Sequence, residues 1–353
     1  MTVPDPFTTP DQQTVADSHI MDFARHVGME GCDYASLHRW SVTDLESFWG
    51  AVWEYFGINA DTAYERVLAK EKMPGARWFP GATLNYAHHA LRNLADDAVA
   101  IIALDETGSC YEVTARRLRA QVASVAATLC DLGVGKGDRV VGYLPNTPHA
   151  IVAFLAAASL GAVWSVCGQD YAPKAAADRF AQLEPTVLIG ADGYLFNGTA
   201  HDRREATLEL ADALPTLKAT LLVDHVGLPW PSRAYPSPMV PWEDVVTRTE
   251  ELSCTPVPFD HPLWVVFSSG TSGLPKGIVH GHGGVLLEHL KTLGLHSDLG
   301  PGDRLLWYTT THWMMWNLVA SALLTGATTC TYDGSPAPLT APTLCGSWPH
   351  ATG

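Results

Sequence analysis

The chain has 353 residues, 47% hydrophobic and 17% charged, enough for a core shared by two or more subdomains. Its formal net charge of −15 argues against non-specific binding to nucleic acid or an anionic membrane, but leaves room for a local cationic pocket. Seven scattered cysteines with no CxxC pair read as reduced, mostly buried thiols in a cytoplasmic protein.

Residues 1–33 read as a flexible lead-in, polar and without an apolar signal core. Residues 34–94 read as an aromatic-rich helical segment. Thr43, followed by Asp44, Leu45 and Glu46, is a candidate helix N-cap with acids in the first turn. Trp49, Val52, Trp53 and Phe56 fall on one apolar stripe, the pattern of core packing.

From Ala98 strand and helix alternate. VAIIAL is a strand, and Ala115, Leu118, Val122, Val125, Leu129 and Leu132 mark a helix face ended by Gly133. Asp138-Arg139 then leads to the strand VVGYL and a Pro-Asn-Thr-Pro turn. The uncharged run from Ala150 to Gly168 has the length of a membrane span, but Gly161 divides it into an Ala-rich helix and a β-branched strand, as in a buried α/β core. GDRVVGYLPNTPHAIVAFLAAASLGA from Gly137 aligns without a gap with GDRLLWYTTTHWMMWNLVASALLTGA from Gly302. Both read strand, loop, helix, glycine, strand, which points to two related doubly wound α/β subdomains. The proline-rich region from about Gly190 to Pro262 reads as a connecting loop.

LWVVF, ending at Phe267, reads as a buried strand, and SSGTSGLPKG follows it. Gly270 and Gly273 permit close backbone approach, successive N–H groups form an anion nest, and Lys276 adds a point charge suited to phosphate. The P-loop pattern is absent because Gly277 follows the lysine, and a GxSxG elbow is absent too. An ordinary Ser/Gly loop is the bland alternative.

This run resembles the phosphate-loop signature of the adenylate-forming enzymes, the superfamily of acyl-CoA synthetases, adenylation domains and luciferases; Ser272 stands where threonine is usual. RWFPGATLNYAHHAL resembles the N-terminal segment of the acetyl-CoA synthetase branch. SLGAVWSVCGQDYAPKAAADRFAQLEPTVLIGADGYLFNG, IVHGHGGVLLEHLKTLGLHSDLGPGDRLLWYTTTHWMMWN and YDGSP resemble its acetoacetate–CoA ligases. The resemblance implies an α/β fold, the adenylate-forming large domain over 95–336 with two related doubly wound subdomains, incomplete at the C-terminus. It implies a carboxylate attacking the α-phosphate of ATP to give an acyl-adenylate, from which the CoA thiolate displaces AMP. ATP, Mg²⁺ and CoA are the implied cofactors, and a small carboxylic acid, acetoacetate, the implied substrate. Ser268, Ser269, Gly270, Thr271, Ser272, Gly273 and Lys276 would hold the β- and γ-phosphates. Trp313, Met314, Met315 and Trp316 would enclose the acid, with core packing as the alternative. His312 departs from the family, where glycine is usual.

His280 and His282 lack a third metal ligand at typical spacing, so a packed or hydrogen-bonded role is expected. Residues 337–353 have no apolar periodicity and no likeness to the family, and read as an aberrant, disordered tail. The expected catalytic lysine would lie beyond this chain. The expectation is therefore an acetoacetate–CoA ligase, truncated and weak or inactive alone. A non-catalytic nucleotide-binding fragment and an acetyl- or propionyl-CoA synthetase are the alternatives. Neither nucleic acid nor membrane is expected as a partner.

Overall fold

The computed structural model describes residues 11–232, 235, 237–268 and 273–336. The strands of its two main sheets are, in chain order, Val99–Asp105 (β1), Cys110–Thr114 (β2), Arg139–Tyr143 (β3), Val163–Cys167 (β4), Val187–Ala191 (β5), Ala219–Val223 (β6), Met239–Pro241 (β7), Pro262–Ser268 (β8), Lys276–Gly281 (β9), Arg304–Leu306 (β10) and Thr328–Asp333 (β11). The larger sheet runs β7-β6-β5-β3-β4-β8-β9, all parallel except β9. The smaller runs β10-β11-β1-β2, with β2 antiparallel to the rest.

The helix Ala115–Asp131 (α1) begins where Thr114 accepts a hydrogen bond from the Arg117 N–H and ends at Gly133, whose φ of +77° suits the residue after a helix. Helix Pro148–Ser159 (α2) is buried all round, as an Ala-rich helix between a sheet and its neighbours must be. In β3, Gly142 faces Trp164 of β4: a Cβ there would come within 2.8 Å of the indole, so the bare backbone makes room for the ring. Gly142→Ala should therefore cost about 1–3 kcal/mol, read as a lower urea midpoint with an unchanged m-value.

The repeat is structural. β3-α2-β4 and β10-helix-β11, the second helix being Met314–Ala320 (α4), each join two neighbouring parallel strands of one sheet. The same bonds recur at matching places. Asp138 Oδ2 accepts from Gly135 N at 2.8 Å, and Asp303 Oδ2 from Gly300 N at 2.8 Å. The Val163 N–H donates to Asp138 O at 2.7 Å, and the Thr328 N–H to Asp303 O at 2.8 Å. Gly161 and Gly326 both have positive φ, 70° and 82°.

Four expectations change. Of the six described cysteines, expected to be mostly buried, only Cys167 and Cys330 are. Within the lead-in expected over residues 1–33, Gln12–Asp17 and His19–His26 are helices, and Phe23 and Ala24 are fully buried. His19–His26 is short but amphipathic, with Phe23 and Ala24 on its buried face. Thr43 is not an N-cap: it ends helix Tyr34–Thr43 and bonds back to Arg39 O, while the Asp44 carboxylate caps Leu45–Tyr55 by accepting from Ser47 N. The region expected as a connecting loop from Gly190 to Pro262 contains a hairpin (Gly193–Phe196 with Thr199–Asp202), the helix Arg204–Asp212, and strands β6 and β7. Its prolines cluster beyond β6, so they do not interrupt it. The tail expected at 337–353 lies outside the described residues.

LWVVF forms most of β8 and is buried at Leu263, Trp264 and Val265. Its neighbour β9 is the open edge of the sheet, with Ile278 and Val279 about half exposed. His282 starts the helix His282–Leu290 (α3) inside the core, where its Nδ1 accepts the Tyr86 N–H at 3.1 Å. Among the described residues no group of three or more His, Cys, Asp or Glu could hold a metal ion, and no helix is long and apolar enough to cross a membrane.

Candidate active site

Parallel strands leave their loops at the carboxyl ends, so side chains from several segments meet there. A cavity of about 190 Å³ lies at that end of both sheets. Pro145 and Asn146 follow β3; Gly168, Gln169 and Asp170 follow β4; Tyr308–Thr311 follow β10; and Tyr332–Gly334 end β11. Tyr194, Leu195 and Phe196 reach it from the hairpin.

Hydrogen bonds tie the two sheets together around this cavity. Thr311 Oγ1 donates to Leu144 O at 2.8 Å and Asn146 Nδ2 to Thr309 O at 3.3 Å. Asp333 accepts from the Leu195 N–H at 2.9 Å and lies 2.7 Å from His225 Nε2. Glu106 accepts from the N–H groups of Gly198 and Ser335 at 2.7 and 2.9 Å, fixing the hairpin tip to the smaller sheet. Behind Asn146, burial holds the His149 imidazole down to a pKa of about 3, so it is neutral at pH 7.

Ser268 and Lys276, which flank the glycine-rich run, lie at the same end of the larger sheet, where β8 ends and β9 begins. Ser268 pairs with Lys276 across the β8–β9 hairpin, so the loop returns directly as an antiparallel strand rather than opening a helix as a P-loop would. Gly273 has φ +95°, a backbone state that favours glycine. Ser268 and Lys276 are exposed, and no ion pair to Lys276 is found among the described residues. Gln182 Nε2 donates to Pro275 O at 3.1 Å and steadies the returning chain. Ser269, Gly270, Thr271 and Ser272 lie outside the described residues.

The expected acid contacts fall at the start of α4. Trp316 is 1% exposed, with its Nε1 donating to Asn146 Oδ1 at 3.1 Å and its ring against Phe154. It reaches the cavity through Asn146 rather than by touching it. Trp313 and Met314 are exposed and Met315 half-buried, so the structure separates these four residues by environment. The cavity wall beside them is the preceding Tyr308–Thr311. His312 lies behind that wall, against Tyr171 and Thr310. Sequence reasoning passed over Asn146, Gln169, Asp333 and His225. The first three sit in the Pro-Asn-Thr-Pro turn, SLGAVWSVCGQDY and YDGSP, but nothing local marks them as facing one space.

The family model described as AMP-binding enzyme matches residues 88–347, and that described as acetyl-coenzyme A synthetase N-terminus matches residues 34–90. Acetoacetyl-CoA synthetase from Streptomyces lividans is a solved structure that superposes with a TM-score of 0.89 at 52% identity, over 94% of this chain and 52% of that one. Acetoacetyl-CoA synthetase of Macaca fascicularis is 40% identical over 317 residues, 86% of this chain and 47% of its own length. Acetoacetyl-coenzyme A synthetase of Rhizobium meliloti (strain 1021) is 38% identical over 343 residues, 94% and 51%. The chain thus spans about half the length of the curated relatives it matches. With a cavity at the carboxyl ends of two related sheets and a family model covering most of its length, this chain belongs to the AMP-binding enzymes.

Proposed function

We propose that the chain carries the phosphate loop and part of the acid site of an ATP-dependent acetoacetate–CoA ligase. The observation that carries the reading is the 52% identity to an acetoacetyl-CoA synthetase across nearly the whole chain, together with the SSGTSGLPK loop at the end of β8. In the first half-reaction the acid carboxylate attacks the α-phosphate of ATP, and pyrophosphate leaves. Two anions must meet, so the protein has to offset charge and hold both reactants in line.

Loop N–H groups, the hydroxyls of Ser268, Ser269, Thr271 and Ser272, and the Lys276 ammonium are proposed to hold the β- and γ-phosphates and the departing pyrophosphate. Gly270 and Gly273 let the backbone approach them. Mg²⁺ is proposed to enter as part of the MgATP substrate. The acid is proposed to sit in the cavity, beside Trp313, Met314 and Met315, with Trp316 holding Asn146 from behind. CoA would supply the thiolate of the second half-reaction. The domain reading proposed is an N-terminal helical segment over 34–94 and the adenylate-forming large domain over 95–336, in a cytoplasmic protein.

ATP–pyrophosphate exchange separates the readings. The expected result is exchange that depends on acetoacetate and is at least tenfold weaker with acetate. Equal exchange with acetate would favour an acetyl- or propionyl-CoA synthetase. ATP binding without exchange under any acid would favour a non-catalytic nucleotide-binding fragment.

A further inference from the structure

One ionisable cluster at the edge of the cavity, with Asp170 in the wall and His312 behind it, has no role in the proposed half-reaction. The turn after β4 brings Gly168, Asp170 and Tyr171 against His312, at the far end of the Tyr308–Thr311 wall. The Thr310 hydroxyl lies 3.0 and 3.2 Å from the two ring nitrogens of His312, and Asp170 Oδ1 lies 3.6 Å from Nδ1. The Tyr171 ring meets the imidazole edge to face at 4.5 Å, and the Arg179 guanidinium lies over the Tyr171 ring at 4.5 Å. Gly168 leaves the space for this: a Cβ would come within 2.9 Å of His312 Nδ1 and 2.4 Å of Asp170 Oδ1. The His312 side chain is 12% exposed, and that of Asp170 50%.

Two facts follow. First, His312 touches residues from both sheets' loops, so it braces the seam along which the cavity opens. Second, Asp170 places a negative charge in the cavity wall, and His312 is a titratable group 3.6 Å from it. Burial lowers the affinity of His312 for a proton, Asp170 raises it, and Arg179 lowers it. Burial is the largest of these, so the imidazole holds its proton less tightly than a free histidine, and a second anion beside it would raise that affinity.

We propose that His312 is a positioning residue of this cavity. It holds the Gly168–Tyr171 turn against Thr310 and sets the charge that Asp170 presents to an anionic ligand, here the acid. The inference rests on the reading of the cavity as the acid site.

The test measures acetoacetate binding by ligand-observed NMR at pH 8, 7 and 6 in the full chain, His312→Gln and Asp170→Asn, with an amide spectrum to verify folding. In the parent, binding should tighten roughly threefold from pH 8 to pH 6. His312→Gln should lose most of that slope. Asp170→Asn should bind more tightly at pH 8 and vary little with pH. The imidazole signal of His312 gives a separate readout: its titration midpoint should fall in Asp170→Asn, because a stabilising negative charge is gone. Binding that keeps the parental slope in His312→Gln, or a midpoint unmoved in Asp170→Asn, overturns the proposal and leaves the acid reading standing. Absence of acetoacetate binding in every protein overturns both.

Discussion

Lowering the pH from 7 to 5 is expected to remove most of the folding stability of this protein. Four histidines drive the effect, His89 and His282 buried and His149 and His289 half-buried. Burial pushes His89, His149 and His282 down to pKa values of about 3 and His289 to about 4. Their surroundings suit the neutral ring. His282 Nδ1 accepts the Tyr86 N–H, so a proton there would break that bond. His289 Nδ1 meets Ser321 Oγ at 2.6 Å. His89 Nε2 meets the Asn59 carbonyl at 2.9 Å, a bond that favours the proton but is outweighed by burial. In the unfolded chain each titrates near 6.5. Above that value both states are neutral and the stability is fully present. As pH falls, the unfolded state takes up protons that the folded state refuses, until the folded pKa values are reached. Each group then costs about 1.4 kcal/mol per pH unit, and four together roughly 5 kcal/mol per unit. Against a typical total of about 5–15 kcal/mol, that places the midpoint near pH 5. Urea titrations at pH 7, 6 and 5 check it: the midpoint should fall steeply below pH 6.5. A flat profile would mean that these rings are hydrated in the folded protein.

Lys276→Ala should weaken ATP binding roughly tenfold to a hundredfold, the worth of a charge-assisted contact to phosphate. Lys276 is exposed at the start of β9, paired in register with Ser268, and no ion pair holds it among the described residues. Its removal should therefore leave the urea midpoint within about 0.5 kcal/mol of the parent, as for a surface position. Lys276→Arg should recover part of the affinity, since charge survives while the compact ammonium does not. Calorimetric titration with ATP checks all three proteins. Unchanged affinity in the alanine variant would remove Lys276 from the phosphate site.

The fold was legible where apolar spacing and punctuation agree. The helix Ala115–Asp131 carried both a full apolar face and Gly133 at its end. The repeat was legible because Gly-Asp-Arg and Gly-Ala frame both copies, and the turn bonds at Asp138 and Asp303 explain why those residues recur. Strand β6 was missed because ATLLV is buried at every position and has no alternation to find. The cavity was only partly legible, since its wall comes from five separate stretches that sheet order alone brings together. Within WMMW, spacing could not tell inward from outward: Trp316 turns to Asn146 and Phe154 while Trp313 and Met314 face solvent.

Amide hydrogen exchange with and without a non-hydrolysable ATP analogue tests most directly whether the turn between β8 and β9 was built for phosphate. Slower exchange across residues 268–276, together with the strand ends around Asn146 and Gln169, is the expected result. Protection confined to other parts of the surface, with 268–276 exchanging as in the free protein, would contradict it.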